Sequence, residues 1–327
     1  MNDASKPVVG FIGLGIMGGA MVANLQKAGY RVVVNDARKE ATATHLAAGA
    51  TWADTPRALT EQSDVVFSCL PGLPQIESVA LGPQGLLEGV RRDQPYFEMS
   101  TNSPELVKRL HAAFAERGAH MLDAPISGGA RGAQRGRLAI WVGGEKSAYD
   151  RFEPVLKAMG DHPVHVGEIG SGLVTKLVHN CASQSMQAAL AEVFVLGVKA
   201  GAEPLALWKA IRQGSIGRRR SFDGLIDEFL PAQFDPPHAA LRIIHKDMSL
   251  ATALGRDLGV PMRFANLALA DIQEAMQRGW AERDCRSVML LPQERVGVSI
   301  KVPVADIHEV MRQDPPAPTD SKYGTGA

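Results

Sequence analysis

Hydrophobic residues are spaced differently in the two parts of this chain. Up to about residue 167, short β-branched or aromatic runs alternate with stretches of helical periodicity. The runs fall at residues 8–12, 32–34, 65–70, 96–99, 120–124, 138–142 and 163–166. Apolar runs of this length, bounded by Gly, Pro or polar residues, read as strands buried on both faces. Helical patterns at 38–47, from 104 onward and at 146–159 lie between them. Such alternation predicts a doubly wound, mostly parallel sheet. From residue 173 the period changes. Residues 173–200 hold one unbroken helical pattern ending at Gly201, roughly 40 Å at 1.5 Å per residue. Further helices are predicted at 205–213, 222–229, 239–258, 262–277 and 304–311.

Residues 8–36 give this pattern a purpose. A strand breaks into the turn Gly13-Leu14-Gly15-Ile16-Met17-Gly18, and a helical pattern follows through Met21, Leu25 and Ala28. A second strand then ends in Asn35 and Asp36. This is the setting that a dinucleotide fingerprint requires. Gly13 permits the tight turn, Gly15 lets the backbone approach a pyrophosphate, and Gly18 lets the helix pack on the strand. The helix start then offers N–H groups and a positive dipole end to the phosphates. Asp36 stands 18 residues past Gly18, near the usual ~20 for the acid that accepts from the adenosine ribose 2′-OH. A carboxylate there repels a 2′-phosphate, so NAD is the expected cofactor. Arg38 keeps NADP as the second choice. Strand ends border the ligand in such sheets. Leu70 and Pro71 are thereby expected beside the cofactor. Thr101, ahead of a helix started by Ser103-Pro104, is expected near its nicotinamide side.

The fold class expected is α/β. An N-terminal Rossmann-type sheet covers residues 1–168, an all-α domain covers 169–312, and a polar Pro/Gly tail, 313–327, is expected to be disordered. The totals change this little. Thirty-five Lys+Arg balance 35 Asp+Glu, which leaves no field favouring nucleic acid or an anionic membrane. Cys69, Cys181 and Cys285 form no disulfide framework, which fits a reducing cytoplasm. The start, MNDASKP, lacks signal-peptide character, and no apolar stretch is long enough to span a bilayer. A cytoplasmic protein without membrane or nucleic-acid partners is expected, with no metal.

Two further stretches carry candidate chemistry. Ser127-Gly128-Gly129 reads as an anion nest whose successive N–H groups point at a carboxylate, or else as a sharp turn without a ligand. Arg131, Arg135 and Arg137 follow and are expected to form a solvated face. Lys176 and Asn180 stand one turn apart on one face of the long helix. An ammonium and an amide so placed both suit a substrate oxygen. A lysine whose charge is disfavoured by burial or by a second cation transfers protons near neutral pH. Lys246, in IIHKDMSLA, is the second cation in question, and a surface lysine is the bland alternative.

Five ordered stretches resemble the 3-hydroxyisobutyrate dehydrogenase family of β-hydroxyacid dehydrogenases. They are FIGLGIMGGAMVANL, MSTNSP, DAPISGGARGAQRGRLAIWVGG, GSGLVTKLVHN, and HKDMSLA followed by LGVP, over about residues 8–291. The resemblance implies that Lys176 is the catalytic lysine and that Ser127, Gly128 and Gly129 hold the substrate carboxylate. It implies that Asn180 positions the substrate, that Thr101 and Lys246 touch the cofactor, and that Asp247 is a supporting acid. It also implies that the long helix joins the domains and that the α-domain serves the substrate and a homodimer or homotetramer. The chain departs from the family pattern at Val22, His179, Ala239 and Arg218-Arg219-Arg220. An arginine of that triplet in the cleft would suit a substrate with a second anionic group. The expected activity is NAD-dependent oxidation of a short β-hydroxy acid to a semialdehyde or ketone, or the reverse. The alternatives are a tartronate semialdehyde reductase, an imine reductase or a 6-phosphogluconate-type enzyme on the same scaffold, and a non-catalytic dehydrogenase-like module.

Overall fold

The computed structural model describes residues 6–199, 201–214, 224–259 and 262–313. Arg218, Arg219 and Arg220 and the tail past Gln313 lie outside the described residues. The chain divides into two compact units, Met1–His179 and Asn180–Ala327.

The first unit is built on one sheet. Its strands are β1 (Val9–Ile12), β2 (Val32–Asn35), β3 (Thr51–Trp52), β4 (Val65–Ser68), β5 (Pro95–Glu98), β6 (His120–Asp123), β7 (Ile126–Ser127), β8 (Ala139–Gly143) and β9 (His162–Gly167). Their order is β3-β2-β1-β4-β5-β6-β8-β7, with β9 also paired to β8. The pairs from β3 to β6 are parallel. The sheet reverses beyond β6, where β8 runs antiparallel to both β6 and β7. This is a Rossmann-type doubly wound sheet with an antiparallel extension.

The helices of this unit are α1 (Ile16–Lys27), α2 (Ala43–Ala47), α3 (Pro56–Glu61), α4 (Leu73–Leu81), α5 (Leu86–Gly89), α6 (Pro104–Glu116), α7 (Gly129–Arg135), α8 (Lys146–Met159) and the start of α9 (Ser171–Lys199). Two separate cores explain the unbroken apolar runs of β1, β2, β4 and β5. One face packs under α1, α7 and α8, the other under α3, α4 and α6. On the first face Phe11, Phe67 and Phe97 stand in register on three adjacent strands and stack at 6.3 and 5.0 Å. The Thr55 and Ser103 hydroxyls cap α3 and α6, each followed by a proline in the first turn.

The second unit continues α9 and adds α10 (Pro204–Gln213), α11 (Leu241–Asp257), α12 (Arg263–Gln277), α13 (Leu290–Val296) and α14 (Val304–Gln313). Among its described residues there is no strand, only a single bridge between Ala240 and Asp284. The helix expected at 222–229 does not form over its described part. Past Leu225 the chain makes turns that bury Phe229 and Leu230. A proline at 231 leaves no room for further helical turns. A buried ionic knot fixes this segment. Glu228 takes the guanidinium of Arg286 at 2.6 Å and the ring of His238, while Asp284 accepts from the backbone N–H groups of His238 and Arg286 at 2.9 Å each.

Phe67 is fully buried between two stacked rings. Phe67→Ala is expected to cost about 3–5 kcal/mol of unfolding free energy, read by denaturant titration. A loss under about 1 kcal/mol would contradict the described core.

Candidate active site

The glycine turn between β1 and α1 is tight on two sides and open on the third. Gly13 has φ +89°, and a Cβ there would lie 2.3 Å from the Cys69 carbonyl oxygen. A Cβ on Gly18 would lie 1.8 Å from the Gly13 carbonyl oxygen. A Cβ on Gly15 would meet nothing within 4 Å. Gly13 and Gly18 therefore serve packing, and Gly15 leaves open space beside the backbone. Gly15 is also the N-cap of α1, with no side-chain cap hydrogen bond and no acid in the first turn. Ile16 beside it is 76% exposed, while Leu14 is buried. Free N–H groups, an open backbone and an uncovered apolar side chain fit a dinucleotide pyrophosphate. Met17 is half-buried against the core.

Asp36 is held in place beside this turn. Its Oδ2 accepts from the Leu14 N–H at 2.6 Å and its Oδ1 from the Arg38 N–H at 2.8 Å. The carboxylate therefore borders the turn, as the sequence spacing requires. The Arg38 guanidinium lies 3.9 Å away and is largely exposed.

The ends of β4 and β5 are tied together by a buried acid that sequence reasoning missed. Glu98 is fully buried. It accepts from the Ser100 N–H at 2.9 Å and from the Asn102 side-chain amide. Ser100 Oγ in turn accepts from the Leu70 N–H at 2.7 Å. Leu70, Pro71 and Thr101 thus sit on two adjoining loops with a shared anchor. Leu70 and Thr101 are half-buried, and Pro71 is exposed.

A second missed acid, Asp123, closes β6. It is 1% exposed. Its Oδ1 accepts from the Gly170 N–H at 2.7 Å and its Oδ2 from the Leu173 N–H at 2.6 Å. Burial pushes its carboxyl up from the usual range, and these N–H groups oppose that shift. Asp123 thereby fixes the first turn of α9. Lys176 follows one turn on and is half-buried. Neighbouring His179 lies against the Trp141 ring, at 5.1 Å between centroids. The only sequence signal for Asp123 was an acid at a strand end, four residues before the glycine loop.

That loop adopts the conformation its glycines allow. Gly128 has φ +133° and Gly129 +60°, and both are exposed after the half-buried Ser127. The arginines that follow are brought around one cavity. It has a volume of about 420 Å³, and its lining includes Ser127, Gly128, Arg131, Arg135 and Arg137.

In the second unit Asn180 Nδ2 donates to Asp247 Oδ2 at 2.7 Å, and Lys246 Nζ lies 3.3 Å from Asp247 Oδ1. Asp247 is buried and orients both groups. The structure therefore joins Asn180, Lys246 and Asp247 in one cluster, although 67 residues separate Asn180 from Asp247.

Two family models match successive parts of the chain. Residues 8–170 match a family model described as the NAD binding domain of 6-phosphogluconate dehydrogenase. Residues 170–291 match one described as the NAD-binding of NADP-dependent 3-hydroxyisobutyrate dehydrogenase. The chain is 32% identical to a 2-(hydroxymethyl)glutarate dehydrogenase of Eubacterium barkeri, over 89% of this chain and 97% of that one. It is 36% identical to a 3-hydroxyisobutyrate dehydrogenase of Pseudomonas aeruginosa, over 75% and 84%. A solved Mycobacterium tuberculosis 3-hydroxyisobutyrate dehydrogenase with L-serine superposes with a TM-score of 0.78 at 27% identity, over 88% and 99%.

Asp123→Asn tests the anchor of α9. An amide has one acceptor oxygen for two N–H groups, so one is left unpaired at a cost of about 1–3 kcal/mol. A lower melting temperature is expected. Unchanged stability would show that the anchor carries no weight.

Proposed function

We propose a function from one premise: the chain belongs to the 3-hydroxyisobutyrate dehydrogenase family of β-hydroxyacid dehydrogenases, oxidoreductases that bind a nicotinamide cofactor. The reaction proposed is NAD-dependent oxidation of a short β-hydroxy acid to its semialdehyde or ketone, or the reverse reduction. Residues 1–168 serve as the dinucleotide-binding domain and 169–312 as the substrate and oligomerisation domain. The protein acts in the cytoplasm as a homodimer or homotetramer. No helix among the described residues is long and apolar enough to cross a membrane.

The roles follow from the residues. The turn Gly13-Leu14-Gly15-Ile16-Met17-Gly18 holds the pyrophosphate, and Asp36 the adenosine ribose. Leu70, Pro71, Thr101 and Lys246 line the rest of the cofactor. When bound, the nicotinamide supplies the hydride acceptor or donor. Ser127, Gly128 and Gly129 bind the substrate carboxylate through backbone N–H groups and fix the reacting carbon. Lys176, in its unprotonated form, accepts the hydroxyl proton through Nζ, or returns it in the reduction. Asn180, steadied by Asp247, orients the same oxygen. The observation that carries this reading is the pinned start of α9. A buried carboxylate at the foot of the glycine loop also sets the turn from which Lys176 emerges.

NAD is preferred because the Asp36 carboxylate is held at the turn and repels a 2′-phosphate. Asp36→Asn leaves the Arg38 cation unopposed. It is expected to shift the NAD-to-NADP ratio of kcat/KM toward NADP by about tenfold or more, equivalent to about 1.4 kcal/mol. An unmoved ratio would remove Asp36 as the discriminating group. Lys176→Ala is expected to leave NAD affinity intact and to lower kcat by about 10²–10⁴-fold. Affinity is read by fluorescence titration. Turnover is read by reduced-nicotinamide absorbance on 3-hydroxyisobutyrate, glycerate, serine and 2-(hydroxymethyl)glutarate. Near-wild-type turnover in that variant would refute the role.

A further inference from the structure

We propose that His179 is a specificity-determining residue whose imidazole hydrogen-bonds a hydroxyl on the α-carbon of the substrate. The preferred substrate is then an α,β-dihydroxy acid, and a β-hydroxy acid with an alkyl group at that carbon is the poorer one. The inference rests on the roles given above to Ser127, Gly128, Gly129 and Lys176.

Three observations carry it. The first is a shared face of the sheet. β7 and β8 pair with Ile126 opposite Ile140 and Ser127 opposite Ala139. Ile126, Ile140 and Val142 belong to the core under α1, α7 and α8. Side chains alternate along a strand, so Ser127, Ala139 and Trp141 share the other face. Trp141 is the diagonal neighbour of Ser127 across the pair, a spacing of about 7–8 Å that an aromatic side chain spans. The second observation is the seat of α9 against β8. A Cβ on Gly172 would lie 2.3 Å from the Trp141 carbonyl oxygen, so the first turn of α9 lies directly against that strand. Two turns later the His179 ring meets the Trp141 ring at 5.1 Å between centroids, with 50° between the planes. Trp141 is half-buried and His179 exposed, so the indole holds a ring that still has access to a ligand. The third observation is spacing along α9. Lys176 and His179 are three residues apart, which makes their side chains neighbours on the helix surface, about 5–6 Å between Cβ atoms. At 3.6 residues per turn His179 and Asn180 flank Lys176, about 60° to one side and about 40° to the other.

Ser127, Trp141, His179 and Lys176 therefore form one chain of neighbours within the first unit. It runs from the loop proposed for the substrate carboxylate to the amine proposed for the hydroxyl proton. The α-carbon of the substrate lies between those two groups, so a substituent on it meets the part of the wall that His179 supplies. Imidazole carries an N–H in either protonation state, and in its neutral form an acceptor nitrogen as well. A hydroxyl pairs with it, and a methyl does not. His179 is also a position at which the chain departs from the family pattern. The contact acts on affinity and positioning, and hydride and proton transfer are the same for both kinds of acid.

The test compares glycerate with 3-hydroxyisobutyrate, which differ in a hydroxyl against a methyl on the α-carbon, each as its faster enantiomer. Wild-type kcat/KM is expected to favour glycerate by about tenfold or more, the size of one hydrogen bond. His179→Phe keeps a ring for Trp141 and removes both nitrogens. It is expected to bring that ratio close to one, mainly by raising KM for glycerate. If that variant does not fold, His179→Leu is read in the same way. A wild-type ratio near one, or a ratio that survives in the variant, overturns the role of His179 alone. No turnover of either acid by the wild type overturns the dehydrogenase reading, and this inference with it.

Discussion

One buried carboxylate sets the geometry on which the rest depends. Asp123 ends β6, and its two oxygens receive N–H groups from Gly170 and Leu173 at the start of α9. A buried charge is costly unless it is paired or fully hydrogen-bonded. Here the free N–H groups and dipole of a helix start meet it, and each needs the other. The consequence is positional. The strand carries on through β7 into the glycine loop, and the helix reaches Lys176 one turn later. The glycine loop and the turn that carries Lys176 thus share one hydrogen-bonded root.

The cofactor side is organised on the same plan. Asp36 accepts from the glycine turn itself, so the group proposed to read the ribose also braces the backbone proposed to hold the phosphates. Glu98 accepts from the Ser100 N–H, and the Ser100 hydroxyl in turn accepts from the Leu70 N–H, which braces the loops after β4 and β5 that carry Leu70, Pro71 and Thr101. In each case an acid at or near a strand end satisfies backbone N–H groups of a loop. Loops held this way lose little conformational entropy when a ligand arrives. In the second unit Asp247 repeats the device with side chains, holding Asn180 and Lys246.

Much of this was legible in the sequence, for definite reasons. Seven of the strands announced themselves as apolar runs, four of them because both faces of the sheet are covered there. The edge strand β3 and the two-residue β7 are too short to show such a run. The turn was legible because three glycines, two strands and an acid fall at fixed spacing. Lys176 and Asn180 were legible as a pair because helical spacing is local. The helices α3, α4 and α5 span four to nine residues each and show too few periods to be read. The turns after Leu225 were misread as helix because their buried apolar residues mimic its spacing. Asp123 and Glu98 were not assigned roles because their partners depend on strand order. The pairing of Asn180 with Asp247 crosses 67 residues, and no local pattern encodes it. The arginines after the glycine loop looked like a solvated face.

On the proposed reading, the proton leaving the substrate hydroxyl goes to the amine of Lys176. The pH dependence of kcat/KM for oxidation tests it most directly, in the wild type and in Lys176→Ala, with NAD affinity followed across the same range. Wild-type kcat/KM is expected to rise with pH through one ionisation. The residual activity of the variant is expected to lack that ionisation, while NAD affinity stays level in both. The same ionisation persisting in the variant would place the base on a residue other than Lys176.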